Sequence, residues 1–135
     1  MIRDLRVSIN CINIKPLAMK SEYKFILEER LIEIAVSIVW LVKRFPNDRV
    51  CNHFGNQLLR SGTSPGLNYG EALGSESKKD FAHKSGIALK ELRETLNCLK
   101  ILFRTGYFKN EEIVQECSEL ISIFVKTLKT TKSRM

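Results

Sequence analysis

The sequence predicts an all-α fold: one antiparallel four-helix bundle in up-down-up-down order. Three observations support this prediction. Apolar residues recur at intervals of three and four in four long segments, the connections between these segments are short, and no segment alternates as a strand does. The 135 residues include only seven glycines and three prolines, which favours long elements, and this length suits a single domain.

The first predicted helix begins near Glu22. Its apolar side chains form one stripe, made by Leu27, Leu31, Ile34, Ile38, Leu41 and Phe45. Pro46 is expected to end this helix, because a proline ring disfavours helical geometry in the residue before it. Asp48 is a good N-cap for the next helix, since its carboxylate can accept hydrogen bonds from the first free amides.

The second predicted helix runs from Arg49 to about Leu73 and contains Pro65 in its interior. A proline there costs about 3 kcal/mol, so the helix is expected to bend or to break into two pieces. A stripe of glycines beside its apolar face consists of Gly55, Gly62 and Gly66. Since glycine costs about 1 kcal/mol relative to alanine inside a helix, the stripe indicates that another backbone comes close, from either the third helix or a second subunit.

A polar ridge also follows the second helix. Its members are Arg60, Ser64, Asn68 and Glu71, which share one side at helical spacing. We interpret Arg60, Asn68 and Glu71, together with the three glycines, as residues that organise the bundle or a subunit interface. Glu91 and Glu94 of the third helix can approach Glu71, but the Glu-x-x-His companion of di-iron bundles is absent, so no metal site is predicted.

The third predicted helix begins at Ser77, where S-K-K-D resembles a capping box, and it ends before Gly106. Its core stripe is Phe81, Ser85, Ala88, Leu92, Thr95, Leu99 and Leu102. The fourth helix begins near Asn110, ahead of an acidic first turn that suits the helix dipole, and it is expected to fray from Thr130 onward.

The net charge of +7 is concentrated at the two ends of the chain. Residues 1–18 carry +2 and residues 126–135 carry +4, so the remainder carries only +1. The pattern predicts three regions: a flexible arm over residues 1–20, the bundle domain over 21–130 and a frayed basic tail over 131–135. Met19 offers an alternative translation start that would remove the arm.

Clustered basic residues can bind nucleic acid, because neutralised phosphates release their condensed counterions. The candidates for phosphate contact are Lys78, Lys79, Lys126, Lys129, Lys132 and Arg134. Lysines in the last turn of a helix also complement the helix dipole, which is the alternative explanation for the tail. Lys78 and Lys79 oppose the dipole at a helix start, so their placement favours a bound phosphate.

No pattern in the sequence points to catalysis. His53 and His83 have no metal-ligand spacing, the four cysteines form no C-x-x-C pair, and the phosphate-cradling and G-x-S-x-G motifs are absent. We therefore predict no catalytic residues, no metal, no cofactor and no enzymatic activity. Unpaired cysteines and the lack of an apolar run of about 20 residues favour a cytoplasmic protein without a membrane partner.

Two motifs of the second and third helices carry a family resemblance: Q-L-L-R-S-G-T-S-x-G-x-N-x-x-E-A and S-K-x-D-F-x-x-K-x-x-I-A-L-K-E-x-R-E-T. They resemble the bacterial four-helix bundle protein family over roughly residues 23–125. That family includes proteins encoded in intervening sequences of large-subunit ribosomal RNA genes, and it is similar to the accessory protein of diversity-generating retroelements. The resemblance implies a left-handed antiparallel bundle, a ring-shaped homopentamer and no established enzymatic activity.

The retroelement relatives bind nucleic acid and a reverse transcriptase through a basic surface. For this chain the resemblance thus implies RNA or DNA, and a reverse transcriptase or another protein, as partners. Two hypotheses follow. The first is a non-enzymatic oligomeric bundle that binds nucleic acid as an accessory or scaffold protein, and the alternative is a ring-forming protein-interaction module that binds no nucleic acid.

Overall fold

The computed structural model describes the backbone of residues 16–135 and the side chains of residues 22–135. Four helices make up this part of the chain: α1 is Pro16–Lys43, α2 is Arg49–Leu73, α3 is Lys78–Arg104 and α4 is Glu111–Ser133. Each helix packs against the next one in sequence, and α1 also contacts α4. Because the connections are short, neighbouring helices run antiparallel. The predicted all-α four-helix bundle is confirmed.

The first helix begins earlier than its apolar pattern predicts. α1 starts at Pro16 rather than near Glu22. A proline suits the first turn, where its fixed backbone angle is helical and its missing N–H has no intrahelical partner to lose. Residues 1–15 of the predicted arm lie outside the described residues, and Met19 lies within α1. At the other end of the chain, α4 continues to Ser133.

Side-chain caps begin the last three helices at the positions that the sequence predicts. The carboxylate of Asp48 accepts a hydrogen bond of 2.7 Å from the Cys51 amide. Two uncharged polar side chains cap the later helices: Ser77 accepts a hydrogen bond from the Asp80 amide at 3.0 Å, and Asn110 accepts one from the Glu112 amide at 2.9 Å. Local hydrogen bonds therefore decide where these helices begin.

The end of α3 is set by Gly106, which has a φ of 86°. Its amide donates to the Phe103 carbonyl at 3.1 Å, and the Tyr107 amide donates to the Leu102 carbonyl at 3.0 Å. These two bonds form a Schellman motif, which requires a left-handed residue at this place. Gly106 is the residue that the sequence predicts for this role.

α2 is one continuous helix through Pro65, so of the two predicted alternatives, a bend or a break, the break does not occur. Pro65 is buried, as are residues one turn before and after it, Ser61 and Tyr69. Packing of this face against the neighbouring helices offsets the cost of the missing backbone hydrogen bond, because most helical stability in proteins comes from tertiary contacts.

The core runs along the inside of all four helices. Tyr69, one turn from the end of α2, belongs to this core, with its ring 5.2 Å from that of Phe124 and 6.3 Å from that of Phe81 in edge-to-face geometry. Leu31, Leu92 and Leu120, from three different helices, are completely buried. The apolar stripes that the sequence predicts thus face one another, as bundle packing requires.

Candidate functional site

The glycine stripe of α2 faces α1. A Cβ atom on Gly62 would meet the side chain of Ile38, and one on Gly66 would lie 3.6 Å from Cβ of Leu31. One on Gly55 would lie 3.3 Å from the Val42 side chain. Of the two predicted neighbours, the third helix is therefore wrong: within the described part of the chain, the close neighbour is α1, and a second subunit at this stripe stays a prediction.

The polar ridge of α2 faces α3 at the bundle surface. Arg60 forms ion pairs with Glu91 at 2.9 Å and with Glu94 at 2.6 Å. The hydrogen bond and the charge of Glu94, followed by the charge of Glu91, raise the pKa of the Arg60 guanidinium. These two acidic residues thus serve as partners of a cation and connect α3 to α2.

The other two predicted ridge residues have separate partners. The amide of Asn68 donates to the carbonyl and the hydroxyl of Ser64, at 3.1 Å and 2.8 Å, within α2. Glu71 accepts a hydrogen bond of 2.9 Å from Lys84 of α3, and this contact raises the pKa of the Lys84 ammonium. Glu71 therefore does not share a site with the carboxylates around Arg60.

An apolar groove lies on the outer side of the α1–α2 pair and has a volume of about 660 Å³. We call it the apolar groove throughout. It is lined by Glu28, Leu31, Ile32, Ala35, Val36, Val39, Trp40 and Lys43 of α1 and by Thr63, Gly66, Leu67 and Gly70 of α2. Trp40 is 53% exposed and Leu67 is 70% exposed. Along α1 the two charged residues are the first and the last members of this lining.

The groove arises because α1 has two apolar stripes. One faces the core, and the second, formed by Phe25, Ile32 and Val39 at intervals of seven residues, faces outward. Our reading of the sequence identified only the core stripe. The seven-residue spacing is the signal that would have revealed the other.

A basic cavity of about 610 Å³ lies at the end of the bundle where α1 and α3 begin and α2 and α4 end. Its basic residues are Lys24 of α1, Lys78 of α3, and Lys126 and Arg134 of α4. Three of these four are sequence-predicted phosphate contacts that are far apart in the chain. The structure brings them together and adds Lys24, which sequence reasoning missed.

The remaining predicted phosphate contacts, Lys79, Lys129 and Lys132, do not line the basic cavity and are exposed. The predicted antiparallel topology is the signal that could have added Lys24 to the candidate phosphate contacts. In an up-down-up-down bundle, the start of the first helix lies at the same end as the start of the third helix.

The basic cavity has few acidic groups to balance its cations. Glu76 is the one carboxylate residue in its lining. The Lys78 ammonium donates a hydrogen bond of 3.2 Å to the backbone carbonyl of Arg134, which is a neutral acceptor. Over residues 22–135, none of the four basic side chains of the cavity forms an ion pair.

Hydroxyl groups complete the lining of the cavity. Ser75, Ser77, Thr127, Thr130 and Thr131 contribute them, and the hydroxyl of Ser75 is buried without a hydrogen-bond partner among the described residues. Nearby, burial raises the pKa of the Tyr23 phenol, although a hydrogen bond with Thr127 acts against it. The cavity therefore combines positive charge with several groups that can donate hydrogen bonds.

A buried ion pair holds α1 against α4. Arg30 is fully buried, and its guanidinium donates to the carboxylate of Glu116 at 2.8 Å and 2.5 Å and lies 3.2 Å from that of Glu119. Burial acts to lower the pKa of Arg30, but the two carboxylates together raise it above its ordinary value. Our reading of the sequence missed this cluster, although Arg30 lies on the core side of α1, between Leu27 and Leu31.

Comparison with models of protein families matches residues 24–129 to the family described as 23S rRNA-intervening sequence protein. This match covers well over half of the chain. The chain belongs to the 23S rRNA-intervening sequence protein family. The family resemblance inferred from the two sequence motifs is thus confirmed.

A solved member of a similarly named group has the same fold as this 23S rRNA-intervening sequence protein. It is the crystal structure of a protein of unknown function from the S23 ribosomal protein family of Bacteroides thetaiotaomicron. The two chains are 37% identical, the alignment covers 76% of this chain and 98% of the other, and the TM-score is 0.71. No protein in the curated set matches this chain.

The cysteines of this 23S rRNA-intervening sequence protein behave as small apolar residues. Cys51, Cys98 and Cys117 are free and buried, whereas Cys11 lies outside the described residues. Burial raises the pKa of each of the three thiols, and it raises that of Cys117 to about 12. These thiols therefore stay protonated at neutral pH and are poor nucleophiles.

The two histidines lie apart on the surface. His53 packs edge-on against Phe54 with ring centroids 5.0 Å apart, and His83 is exposed on α3. Among the residues that the structure describes, no three His, Cys, Asp or Glu side chains are placed to hold a metal ion. None of the described helices carries an apolar stretch long enough to cross a membrane.

Proposed function

We propose that this member of the 23S rRNA-intervening sequence protein family is a non-enzymatic scaffold that self-associates and binds nucleic acid. The apolar groove carries the first part of the proposal, and the cations at the ends of the bundle support the second. The number of subunits that the family resemblance implies is five. The two parts are argued and tested separately, because one depends on apolar contact and the other on charge.

The exposed second stripe of α1 supports self-association. A helix that is apolar on two sides is normally covered on both, because exposed apolar surface is costly. In this chain one side of α1 faces the core, while Phe25, Trp40 and Ile32 are 62%, 53% and 43% exposed on the other. Leu67 of α2 extends the same surface. Covering this groove is the most direct source of binding free energy on the described surface.

We infer that a second copy of the chain covers the groove. Glu28 and Lys43 lie at opposite ends of its α1 lining, so the groove is apolar in the middle and oppositely charged at its two ends. When a second copy lies antiparallel in the groove, Glu28 of each copy lies opposite Lys43 of the other. The same groove also accepts a different face of a neighbour that carries one positive and one negative charge. A closed ring needs the second arrangement, in which the groove meets a different face of the next subunit.

Substitution within the groove tests self-association. Leu67→Lys places a charge at a side chain that is already 70% exposed, so the fold should be retained, whereas the groove should no longer accept a subunit. Ile101→Lys is the matched control, since Ile101 is 46% exposed on α3 and lies outside the groove. Light scattering after size exclusion should give an oligomer for the wild type and the control, and a monomer for Leu67→Lys.

A wild-type protein that remains monomeric across concentrations would overturn self-association. An unchanged mass for Leu67→Lys would instead show that subunits meet at another face. A mass of two subunits would favour the reversed arrangement over the ring. Circular dichroism of each variant establishes that a lower mass does not reflect unfolding.

Binding of nucleic acid is the second part of the proposal. The cations of the basic cavity form no ion pair over residues 22–135, and they lie on α1, at the start of α3 and at the end of α4. Lys79, Lys129 and Lys132 add positive charge at the same ends of α3 and α4. By contrast, Arg60 and Lys84 are paired with carboxylates of the neighbouring helix. The clustered cations at this end of the subunit are thus available to phosphates.

The alternative is an assembly module that binds no nucleic acid. The nearly neutral body of the chain, +1 outside its two ends, favours it. Titration of the protein with structured RNA and with duplex DNA at low salt separates the two. Binding that weakens steeply with salt supports nucleic-acid contact, and no binding of either at low salt leaves the assembly module as the function.

A further inference from the structure

We propose that the basic cavity binds a terminal phosphate group, the phosphate monoester at the end of a nucleic-acid strand. This inference deepens the proposed function and rests on its nucleic-acid part. It assigns a particular site and a particular group to a binding activity that otherwise needs only dispersed positive charge. Three properties of the cavity support this inference: the helices that form it, its positive charge and its hydrogen-bond donors.

The cavity is built from parts of the chain that only the tertiary fold brings together. Lys24 comes from the third turn of α1, Lys78 is the first residue of α3, Lys126 lies near the end of α4, and Arg134 directly follows α4. Tyr69 and Leu73 from the end of α2 form part of its apolar wall. Convergent cations around a concave wall that is partly apolar are typical of a ligand site.

Charge in the cavity is unbalanced by about three positive charges, four cations against Glu76. Like charges held at one opening repel one another, and a bound anion relieves this repulsion. Arg30, Arg60 and Lys84, in contrast, each have a carboxylate partner. A phosphate monoester carries up to two negative charges near neutral pH, whereas an internal phosphodiester carries one.

Hydrogen-bond donors in the cavity match the same group. A terminal phosphate has three free oxygens that accept strong hydrogen bonds. The hydroxyl of Ser75 is buried and has no partner among the described residues, and Ser77 lies beside it at the start of α3. The helix dipole at this start adds to the attraction for an anion.

Shape favours the end of a strand over its middle. An internal phosphodiester continues into sugar and base on both sides, so it fits a concave opening less well than a group with covalent chain on one side only. The end of a strand can enter with one nucleotide behind it. The wall provided by Ala72, Leu73 and Phe81 offers apolar surface for that nucleotide.

Matched oligonucleotides test the inference. Single-stranded oligonucleotides of one sequence would be prepared with a 5′-phosphate, with a 3′-phosphate or with neither, and their affinities measured by fluorescence anisotropy at one salt concentration. We expect one phosphorylated form to bind at least about tenfold more tightly than the unphosphorylated one, which corresponds to about 1.4 kcal/mol. The same affinity for all three forms would overturn the inference and leave general nucleic-acid binding intact.

Variants locate the effect. Lys126→Gln and Lys78→Gln should abolish the difference between phosphorylated and unphosphorylated strands, because both residues line the cavity. Lys132→Gln removes the same charge from α4 outside the cavity and should lower all affinities while preserving the difference. All three side chains are exposed, so the fold should be unaffected, and thermal unfolding checks this. A difference that persists in Lys126→Gln and Lys78→Gln would overturn the assignment to the cavity.

Competition separates the possible sources of the phosphate. A nucleoside monophosphate and inorganic phosphate would be added to the complex with the phosphorylated strand. If the phosphorylated strand binds and micromolar nucleoside monophosphate displaces it, the site recognises a terminal nucleotide. Binding of the monophosphate without any binding of strands would overturn the nucleic-acid proposal and place the same chemistry in a small molecule.

Discussion

The apolar groove and the basic cavity are both formed partly by α1, yet they differ in almost every physical property. The groove extends along the second half of α1, where Val36, Val39 and Trp40 give it an apolar lining with charges only at its ends. The cavity lies beside the beginning of α1, where Lys24 joins cations from two other helices. One helix thus contributes to two surfaces that select different kinds of partner.

This difference has a consequence for how each surface binds. Binding in the groove should depend on buried apolar area and respond little to salt, because its free energy comes from removing apolar surface from water. Binding in the cavity should depend on ion release and fall steeply as salt rises. Four predictions test this division.

Loss of Arg30 should affect both surfaces at once. Arg30→Ala removes the guanidinium that joins α1 to α4 and leaves the carboxylate of Glu116 buried without it. We expect the free energy of unfolding, measured with urea, to fall by about 3–5 kcal/mol, because breaking a buried pair by removing one partner is strongly destabilising. Arg60→Ala, which removes an exposed pair, should cost far less. Equal losses of unfolding free energy in the two variants would show that burial does not make the Arg30 ion pair more important than the exposed Arg60 pair.

Salt should separate the two surfaces. If about four phosphates are neutralised at the end of the bundle, raising salt from about 50 to 200 mM should weaken duplex DNA binding about 100-fold. The mass of the assembly, measured by light scattering in the same buffers, should stay constant. Dissociation of the oligomer over this range would show that charge, rather than the apolar groove, holds the subunits together.

Cys117 tests the core, which belongs to neither surface. Burial raises its pKa from 9.0 to about 12. Above pH 9 the unfolded chain releases this proton while the folded chain retains it, so stability falls as pH rises toward 12. Between pH 9 and 10.5 this thiol alone should reduce the free energy of unfolding by about 2 kcal/mol.

The comparison for this prediction is Cys117→Ala, which lacks the ionising group. Its stability at pH 7 will differ from that of the wild type because a small cavity is created, so only the change with pH is compared. The loss between pH 9 and 10.5 should be smaller in the variant. Parallel curves for the two proteins would show that Cys117 is not protected in the folded state.

Two glycine substitutions test the close contact that shapes the groove. A methyl group at Gly62 would meet the side chain of Ile38, whereas one at Gly86 of α3 finds nothing within 4 Å. Gly62→Ala should therefore destabilise by about 1 kcal/mol, since crowding outweighs the gain in helix propensity. Gly86→Ala should stabilise by about 0.5–1 kcal/mol. Thermal and urea unfolding would measure both, and equal signs would contradict the tight packing of α1 on α2.

Much of the fold could be predicted because its determinants are local. Asp48, Ser77 and Asn110 cap the helices that follow them, and Gly106 ends α3 with a positive φ. Each acts through hydrogen bonds to residues at most four positions away. Such contacts form whatever the rest of the chain does, so residue type and spacing are sufficient to identify them.

Less of the candidate site could be predicted because its members meet only across helices. Lys78 and Arg134 were both candidates for phosphate contact, but nothing in their local sequence places them around one cavity with Lys24. The glycine stripe correctly indicated a close neighbour, but not that this neighbour is α1. The side of each helix that faces another depends on the packing of all four.

The all-α class, the order of the four helices, most of their boundaries and the family all follow from the amino-acid sequence. They do so because apolar periodicity and caps act within a single helix. The contact between Arg30 and Glu116, 86 residues apart, and the exposure of the second stripe of α1 beside a cavity of converging cations are visible only in the folded chain. Neither could be predicted, because the relative rotation and alignment of helices depend on the collective packing of side chains, which no short segment contains.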